Sequence, residues 1–467
     1  MKLKHPEAEV STEDPWRDDV LGRAQIARRL TNQLRDLRDP FVFSIDGQWG
    51  TGKTFLLKRW QKELENKGFR VIYFNAWEDD FCDDPLLSII GQLSEHFKRG
   101  KLKTLAEEMG KIAVPLLKKN ALLGLSRATG LTFEVDLNRR DLLQEYRDQR
   151  QSKTELKDHL EKMSASAFAE TGRPLVFIVD ELDRCRPTFA IELLERVKHI
   201  FDVPGLVFVF GVNRDELCKA LESVYGEIDA TVYLRRFFDM EFSLPKADAK
   251  SFCESLLDRF RLKNFFHSLG SNAETDLHAR EFHTLSQVLP VLCHFMGLSL
   301  RDIDYSVRLI AFVGKNLEGK YYIYPGLLSL LILLKFKNPS LYHQFIRGEC
   351  RASVMMDYID REVSDSTGDY QLNHALDEVE AGLYFAETRR SGNSRGSSAL
   401  QQLRLLLDGR ELTHPELLSA RTRSTDSQRV YLLVGLIETG LQHYLNSSTR
   451  VLDDVAKLID LHDFVRR

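Results

Sequence analysis

Residues 41–64 set three things in direct succession: a short apolar run, FVFSI (Phe41–Ile45), the octet Gly47-Gln48-Trp49-Gly50-Thr51-Gly52-Lys53-Thr54, and a helix-compatible segment, FLLKRWQKEL, from Phe55. Nothing else in the chain restricts its fold as tightly. The octet fits GxxxxGK[ST]. Its glycines let the backbone turn sharply and aim several N–H groups at one point, with the positive end of the following helix behind them. Phosphate oxygens are what such a cradle holds. In that geometry Lys53 reaches the β- and γ-phosphates and the Thr54 hydroxyl ligates Mg²⁺. The candidate nucleotide-binding residues are therefore Gly47, Trp49, Gly50, Thr51, Gly52, Lys53, Thr54 and Phe55. A glycine-rich turn could match the pattern by chance, but the order strand, loop, helix argues against that.

The rest of the first half agrees with such a loop. Candidate strands are Phe41–Ile45, Val71–Phe74, Leu175–Val179, Leu206–Val212 and Phe238–Phe242. All but the last are nearly continuous apolar runs, as strands buried on both faces of a parallel sheet should be. About a hundred residues separate the second and third runs, too many for one crossover. Within that interval Asp141–Met163 is highly charged, with Leu142, Leu143, Tyr146, Leu156, Leu160 and Met163 as sparse apolar positions, and is expected to be a long, partly exposed helix. From Asp248 onward the apolar residues recur at helical spacing. The expected organisation is a nucleotide-binding core at 14–247, with a mostly helical insertion at about 80–172, a helical extension at 248–345 and a C-terminal helical region at 346–467. The fold class is α/β, a mainly parallel sheet flanked by helices, followed by an all-α part. Thr388–Ser398 is polar and rich in Ser and Gly, and is expected to be a mobile loop.

Two further strand ends carry chemistry. In PLVFIVDELDRCRP (Pro174–Pro187) an apolar run ends in Asp180, where a carboxylate can hold Mg²⁺, and Glu181 follows, where a carboxylate can deprotonate an attacking water. In LVFVFGVNRD (Leu206–Asp215) another run ends in Asn213, either a sensor of the γ-phosphate or the N-cap of the next helix. An arginine can stabilise charge on the transferring phosphoryl group, and Arg184, Arg235, Arg236 and Arg301 are the candidates. Candidate catalytic residues are thus Lys53, Asp180, Glu181 and Asn213, with Thr54 and Asp180 as metal ligands, and the residues alone do not choose among the arginines.

Composition removes other classes. A net charge of -4 over 467 residues gives no global basic excess, although the basic stretches Arg23–Arg29, Arg139–Arg150 and Arg389–Arg395 could meet nucleic acid. Six Cys without a CxxC pair or a Cys/His cluster argue against a disulfide framework or a zinc site, and the expectation is reduced thiols in a cytoplasmic protein. The most apolar stretches, Ile112–Leu125 and Leu327–Phe336, fall short of the roughly twenty residues that a membrane span needs, so both are expected to be buried helices, with a membrane role as the lesser alternative for Ile112–Leu125.

With these pieces in order, the chain resembles the KAP family of P-loop NTPases. The resemblance rests on GQWGTGKT, FNAWEDD (Phe74–Asp80), VDELDRCRP (Val179–Pro187), VFGVNRDELCKAL (Val209–Leu221) and YLRRFFDMEFSLP (Tyr233–Pro245), and covers about residues 14 to 310. Trp49 inside the loop, the NAW triplet (Asn75, Ala76, Trp77) and the LDRC run (Leu182–Cys185) are more specific than the loop alone. The resemblance implies an additional-strand P-loop sheet, ATP with Mg²⁺ as cofactors, and roles for Arg236 and, in LSLRDI, for Arg301 as a nucleotide-sensing residue. It implies ATP hydrolysis coupled to conformational switching or assembly, and antiphage defence as a setting. Two departures stand out. Many members carry inserted transmembrane helices, where this chain has only the short Ile112–Leu125 stretch. Many have Asp-Asp where this chain has Asp180-Glu181, and a glutamate there favours hydrolysis.

The alternatives are a nucleotide-dependent interaction scaffold with little turnover and a nucleic-acid-stimulated ATPase sensor. No nuclease or protease centre is legible, so any effector activity is assigned to a protein partner, and a homo-oligomer completing its site between subunits is left open. Trp77 is expected to pack in the core, and Asn75 is left open.

Overall fold

The structure, a computed structural model, describes residues 10–98, 100–117, 142–267, 275–315, 324–363, 368–390, 399–423 and 427–445. The chain divides into two units, Ala8–Lys246 and the part from Ala247 onward.

In the first unit the elements run α1 (Arg23–Leu34), β1 (Phe41–Asp46), α2 (Lys53–Asn66), β2 (Arg70–Asn75), α3 (Pro85–His96), α4 (Gly100–Ala113), α5 (Leu142–Thr171), β3 (Leu175–Asp180), α6 (Pro187–Ile200), β4 (Leu206–Val212), α7 (Arg214–Tyr225), α8 (Ala230–Leu234) and β5 (Met240–Ser243). The strands form one parallel sheet in the order β2-β3-β4-β1-β5. Every residue of β3 and β4 is buried, which is why both were legible as unbroken apolar runs. Alternate residues face opposite sides. Phe177, Phe208 and Phe210 pack with α3 to α7 on one face, while Val176, Ile178, Val207 and Val209 pack with α1 and α2 on the other. Trp60 of α2 is fully buried there, its indole N–H donating to Thr31 of α1 at 2.9 Å.

Two expectations need adjustment, and that of a long, partly exposed helix holds. The fifth strand is Met240–Ser243 rather than Phe238–Phe242, because it is an edge strand whose start is set by pairing with β1 at Phe43. Helix α5 buries Leu156, Leu160 and Met163 against the sheet, but its outer end leaves Leu143 and Tyr146 exposed. Of Ile112–Leu125, α4 ends at Ala113 and a 3-10 turn containing Pro115 follows; residues 118–125 lie outside the described residues.

The second unit is helical: α9 (Ala249–Arg259), α10 (Leu262–His267), α11 (Thr275–Phe295), α12 (Leu300–Lys315), α13 (Pro325–Lys337), α14 (Pro339–Arg347), α15 (Ala352–Glu362), α16 (Tyr370–Arg390), α17 (Ala399–Leu407), α18 (Ala420–Arg423) and α19 (Ser427–Leu445). Helix α13 is apolar all round because it is buried all round, from Pro325 to Leu334. It approaches α16 so closely that a Cβ at Gly326 would lie 2.5 Å from the Glu378 carbonyl oxygen. A buried polar network ties α16 to α18 and α19. Glu380 accepts from Ser419 (2.5 Å), from Tyr384 (2.8 Å), from Thr422 and from the Arg429 guanidinium, which also donates to Asp377 at 2.7 Å. Thr388–Arg390, expected in a loop, closes α16, which is buried as far as Ala386; residues 391–398 lie outside the described residues. Among the described residues no helix is long and apolar enough to cross a membrane.

Candidate nucleotide-binding site

The carboxyl ends of the strands gather at one edge of the sheet, where ligands of open α/β sheets bind. The loop Gly47–Gly52 runs from β1 into α2. Gly50 and Gly52 have φ of +78° and +89°, a region closed to most side chains, and Gly52 directly precedes the helix. The α2 amides therefore open onto the loop. Gly47 N–H donates to the Val212 carbonyl of β4 at 3.1 Å, and a Cβ on Gly47 would stand 2.8 Å from Thr51 Oγ1. Lys53 Nζ donates to the Gly47 carbonyl and, at 3.2 Å, to that of Gln48. Burial pulls its ammonium below the usual lysine range, opposed by Asp183, Asp180 and Asp46. Phe55 sits in the first turn of α2 with the Arg59 guanidinium 3.7 Å over its ring.

Register sets the second element. Asp180 closes β3 and stands between Asn75, the last residue of β2, and Gly211 of β4. Its carboxylate is 1% exposed and accepts from Tyr73 (2.8 Å), from the Glu181 N–H (2.9 Å) and from the Thr54 hydroxyl. Burial pushes this carboxyl up, and those donors pull it back. A Cβ on Gly211 would meet Asp180 Oδ1 at 3.0 Å and Leu57 Cδ1 at 2.5 Å, so β4 can pass this close only as glycine. Thr54 and Asp180 thus offer two hard oxygen donors in direct contact. That donor set fits Mg²⁺, which uses one or two carboxylates with substrate phosphates and keeps several waters.

Glu181 takes φ +60°, one of two non-glycine residues with positive φ among those described. Its carboxylate accepts from Arg184 at 2.7 Å and from Asn75. Burial raises it, and the Arg184 charge works against that. The residues peculiar to this chain's motifs bond to one another here. Trp49 Nε1 donates to Asp183 at 2.5 Å, the Arg184 guanidinium lies 5.3 Å over the Trp77 ring, and Arg186 is paired with Asp80 at 3.0 Å. Asn75 also donates to Glu78 at 2.8 Å. Trp77, expected in the core, is 52% exposed, because β2 ends at Asn75 and the chain leaves the sheet into a turn.

Asn213 occupies the N-cap position of α7, yet its side chain makes no capping bond. Asp46, the last residue of β1, accepts from the Arg214 N–H instead, at 2.9 Å. Arg236 is exposed, with its guanidinium 5.4 Å from the Tyr233 ring, and takes no part in this network among the described residues. Arg301 is exposed in the first turn of α12, in the second unit. Sequence reading missed Tyr73, Gly211, Asp183 and Arg23. A lone glycine inside an otherwise apolar strand was a usable signal for Gly211, whereas a buried tyrosine hydroxyl and a buried arginine gave none. By sequence Arg23 opens the basic stretch Arg23–Arg29 that could meet nucleic acid. It is 1% exposed and donates to the carbonyls of Thr51 (3.0 Å) and Pro245 (2.9 Å). Of the other basic stretches, Arg147 and Arg150 are exposed on α5, and 391–395 lie outside the described residues.

The chain is 22% identical over 352 residues to the Phage T7 exclusion protein of Escherichia coli (strain K12), covering 70% of this chain and 45% of that one, so it spans under half of that relative's length. Among solved structures it is similar to the Aeropyrum pernix ORC2 protein in its ADPNP-ADP complexes, with 13% identity, TM-score 0.36 and coverage of 90% and 95% of the two chains. It is also similar to AMPPCP-bound DnaA from Aquifex aeolicus, with 12% identity, TM-score 0.22 and coverage of 77% and 92%. The family model described as the KAP family P-loop domain matches residues 23–307, more than half of the chain, and the chain therefore belongs to the KAP family of P-loop NTPases.

Proposed function

We propose that this protein binds and hydrolyses ATP with Mg²⁺ and uses the cycle to drive a conformational switch or an assembly step. One observation carries the reading. The Thr54 hydroxyl at the head of α2 bonds to the buried Asp180 carboxylate at the tip of β3, with Glu181 next in the chain. Phosphate cradle, metal donors and a basic carboxylate thereby share one end of the sheet. Lys53 and the loop amides of Gly47 to Phe55 bind the phosphates, and Thr54 and Asp180 would hold the metal. A bound Mg²⁺ would neutralise charge on the β- and γ-phosphates. Glu181 takes the proton of the attacking water. Asn213 is buried beside the loop strand and makes no capping bond, which supports its assignment as the γ-phosphate sensor. Arg236 and Arg301 are the arginines proposed to stabilise the transferring group, in the same chain or in a neighbouring copy. The name of the Escherichia coli relative supports phage exclusion as the setting, with effector chemistry supplied by a protein partner.

The test is steady-state ATP hydrolysis by the purified protein against Lys53→Ala and Glu181→Gln, with and without DNA or RNA. Mg²⁺-dependent turnover lost in both variants is expected. A second reading, a scaffold that binds nucleotide with little turnover, draws on the Glu181–Arg184 pair, which occupies the base with a cation. It predicts nucleotide binding that Lys53→Ala abolishes, with no turnover in the wild type. Stimulation by nucleic acid that weakens steeply with salt would instead favour the sensor.

A further inference from the structure

We infer that Arg23 is a positioning residue that couples the phosphate loop to the exit of β5, so that nucleotide held by the loop is registered at the segment leading into the second unit. This rests on the reading of the loop as a nucleotide site. The guanidinium spans two carbonyls that are far apart in sequence, Thr51 within the loop through Nη2 and Pro245 after β5 through Nη1, at 3.0 and 2.9 Å. It does so from inside the protein, at 1% exposure, with Nε buried and without a hydrogen-bond partner.

Burying a guanidinium is unfavourable unless its charge is paired, and here burial pulls its ionisation down while Asp19 opposes. Asp19 is already engaged elsewhere, accepting from the Arg23 and Ala24 N–H groups at 2.9 and 2.7 Å. That capping fixes the first turn of α1 and hence the place from which the side chain starts. The two carbonyls are neutral, so the groups that the fork itself bonds offer dipoles and no charge, and Asp19 acts on it only through its field. An apolar side chain would fill this volume at lower cost, but it could not join two carbonyls. A lysine would retain the charge yet present one point donor, not a planar fork.

The β5 exit is already pressed against the loop. Leu244 N–H donates to the Asp46 carbonyl at 2.7 Å, and a Cβ on Gly47 would lie 3.5 Å from Leu244 Cβ. When loop amides turn toward phosphate oxygens, the Thr51 carbonyl on the same peptide run must follow. Arg23 carries that displacement to Pro245, two residues before Ala247. The Arg23 fork is therefore a mechanical link between occupancy of the site and the strand that leaves it.

Hydrogen–deuterium exchange of the full chain, with and without the non-hydrolysable analogue AMPPNP plus Mg²⁺, tests this. In the wild type, peptides covering 47–54 and 240–246 should both slow, the second by threefold or more. In Arg23→Lys the loop should still slow while 240–246 changes by less than a factor of 1.5, with the far-ultraviolet spectrum unchanged. Equal slowing at 240–246 in Arg23→Lys and wild type overturns the inference. So does a wild type that slows at 47–54 alone, a result that needs no variant to fold. A wild type that slows at neither segment, while the analogue also fails to bind by calorimetry, refutes the nucleotide reading and this inference with it.

Discussion

Glu181 is held at φ +60° although it carries a side chain. For an L-residue that conformation costs roughly 1–2 kcal/mol relative to the right-handed region. Two substitutions isolate the strain, because both remove the carboxylate and its bond to Arg184. In Glu181→Ala the Cβ remains and so does the strain. In Glu181→Gly the strain vanishes, offset by about 0.4–1 kcal/mol of extra freedom in the unfolded chain. The glycine variant should therefore be the more stable of the two by about 1 kcal/mol, the reverse of the order at an ordinary position. A difference of that size moves the thermal midpoint of a unit this long by about 2–4 °C. Scanning calorimetry and urea titration of both variants measure it. Turnover should fall by roughly 10²–10⁴ in both, the usual contribution of a general base. Arg261, at φ +53°, is the control: its glycine variant should again beat its alanine variant, with turnover unaltered. If alanine at 181 proves as stable as glycine, the proposed strain is absent. If either variant keeps full turnover, Glu181 is not the base.

Gly211→Ala places a methyl 2.5 Å from Leu57 and 3.0 Å from Asp180, and should destabilise the first unit by about 1–3 kcal/mol in urea titration while cutting turnover at least tenfold. Glu380→Ala leaves Arg429 its pair with Asp377 but takes the shared acceptor from Ser419, Tyr384 and Thr422, and should destabilise the second unit by about 1–3 kcal/mol, with AMPPNP affinity unchanged by calorimetry. Burial raises the Glu378 carboxyl to about 7, with Asp377 adding to the shift. A raised carboxyl gives its full stabilisation below about pH 4.5 and loses it as pH climbs through 7, so the wild type should weaken against Glu378→Gln by up to about 3 kcal/mol between pH 5 and 8. A gap that stays flat across that range removes Glu378 as the titrating group.

How much could be read without the fold differs from feature to feature, for physical reasons. The phosphate loop was legible because its requirements are local: glycine where φ is positive, lysine and threonine at fixed steps, a strand before and a helix after. Strands β3 and β4 were legible because a central parallel strand is buried on both sides and has no polar face to confuse with a helix. Asp180 and Glu181 followed from the end of such a run. Asn213 could not be resolved, since sensor and cap use the same residue type at the same strand end, and it is Asp46, 167 positions earlier, that bonds the helix amide.

The sequence by itself determined the nucleotide loop, the parallel α/β core, the acid pair at the strand tip and a family shared with other P-loop NTPases, because each is encoded in short runs whose meaning does not depend on distant partners. Only the tertiary structure decided that Thr54 meets Asp180, that Gly211 leaves room for that carboxylate, that Trp77 stands in solvent under Arg184, and that Arg23 is buried between Thr51 and Pro245. Each of these depends on which strand lies beside which, and strand order is set by packing across the whole sheet, so no local stretch of sequence carries it.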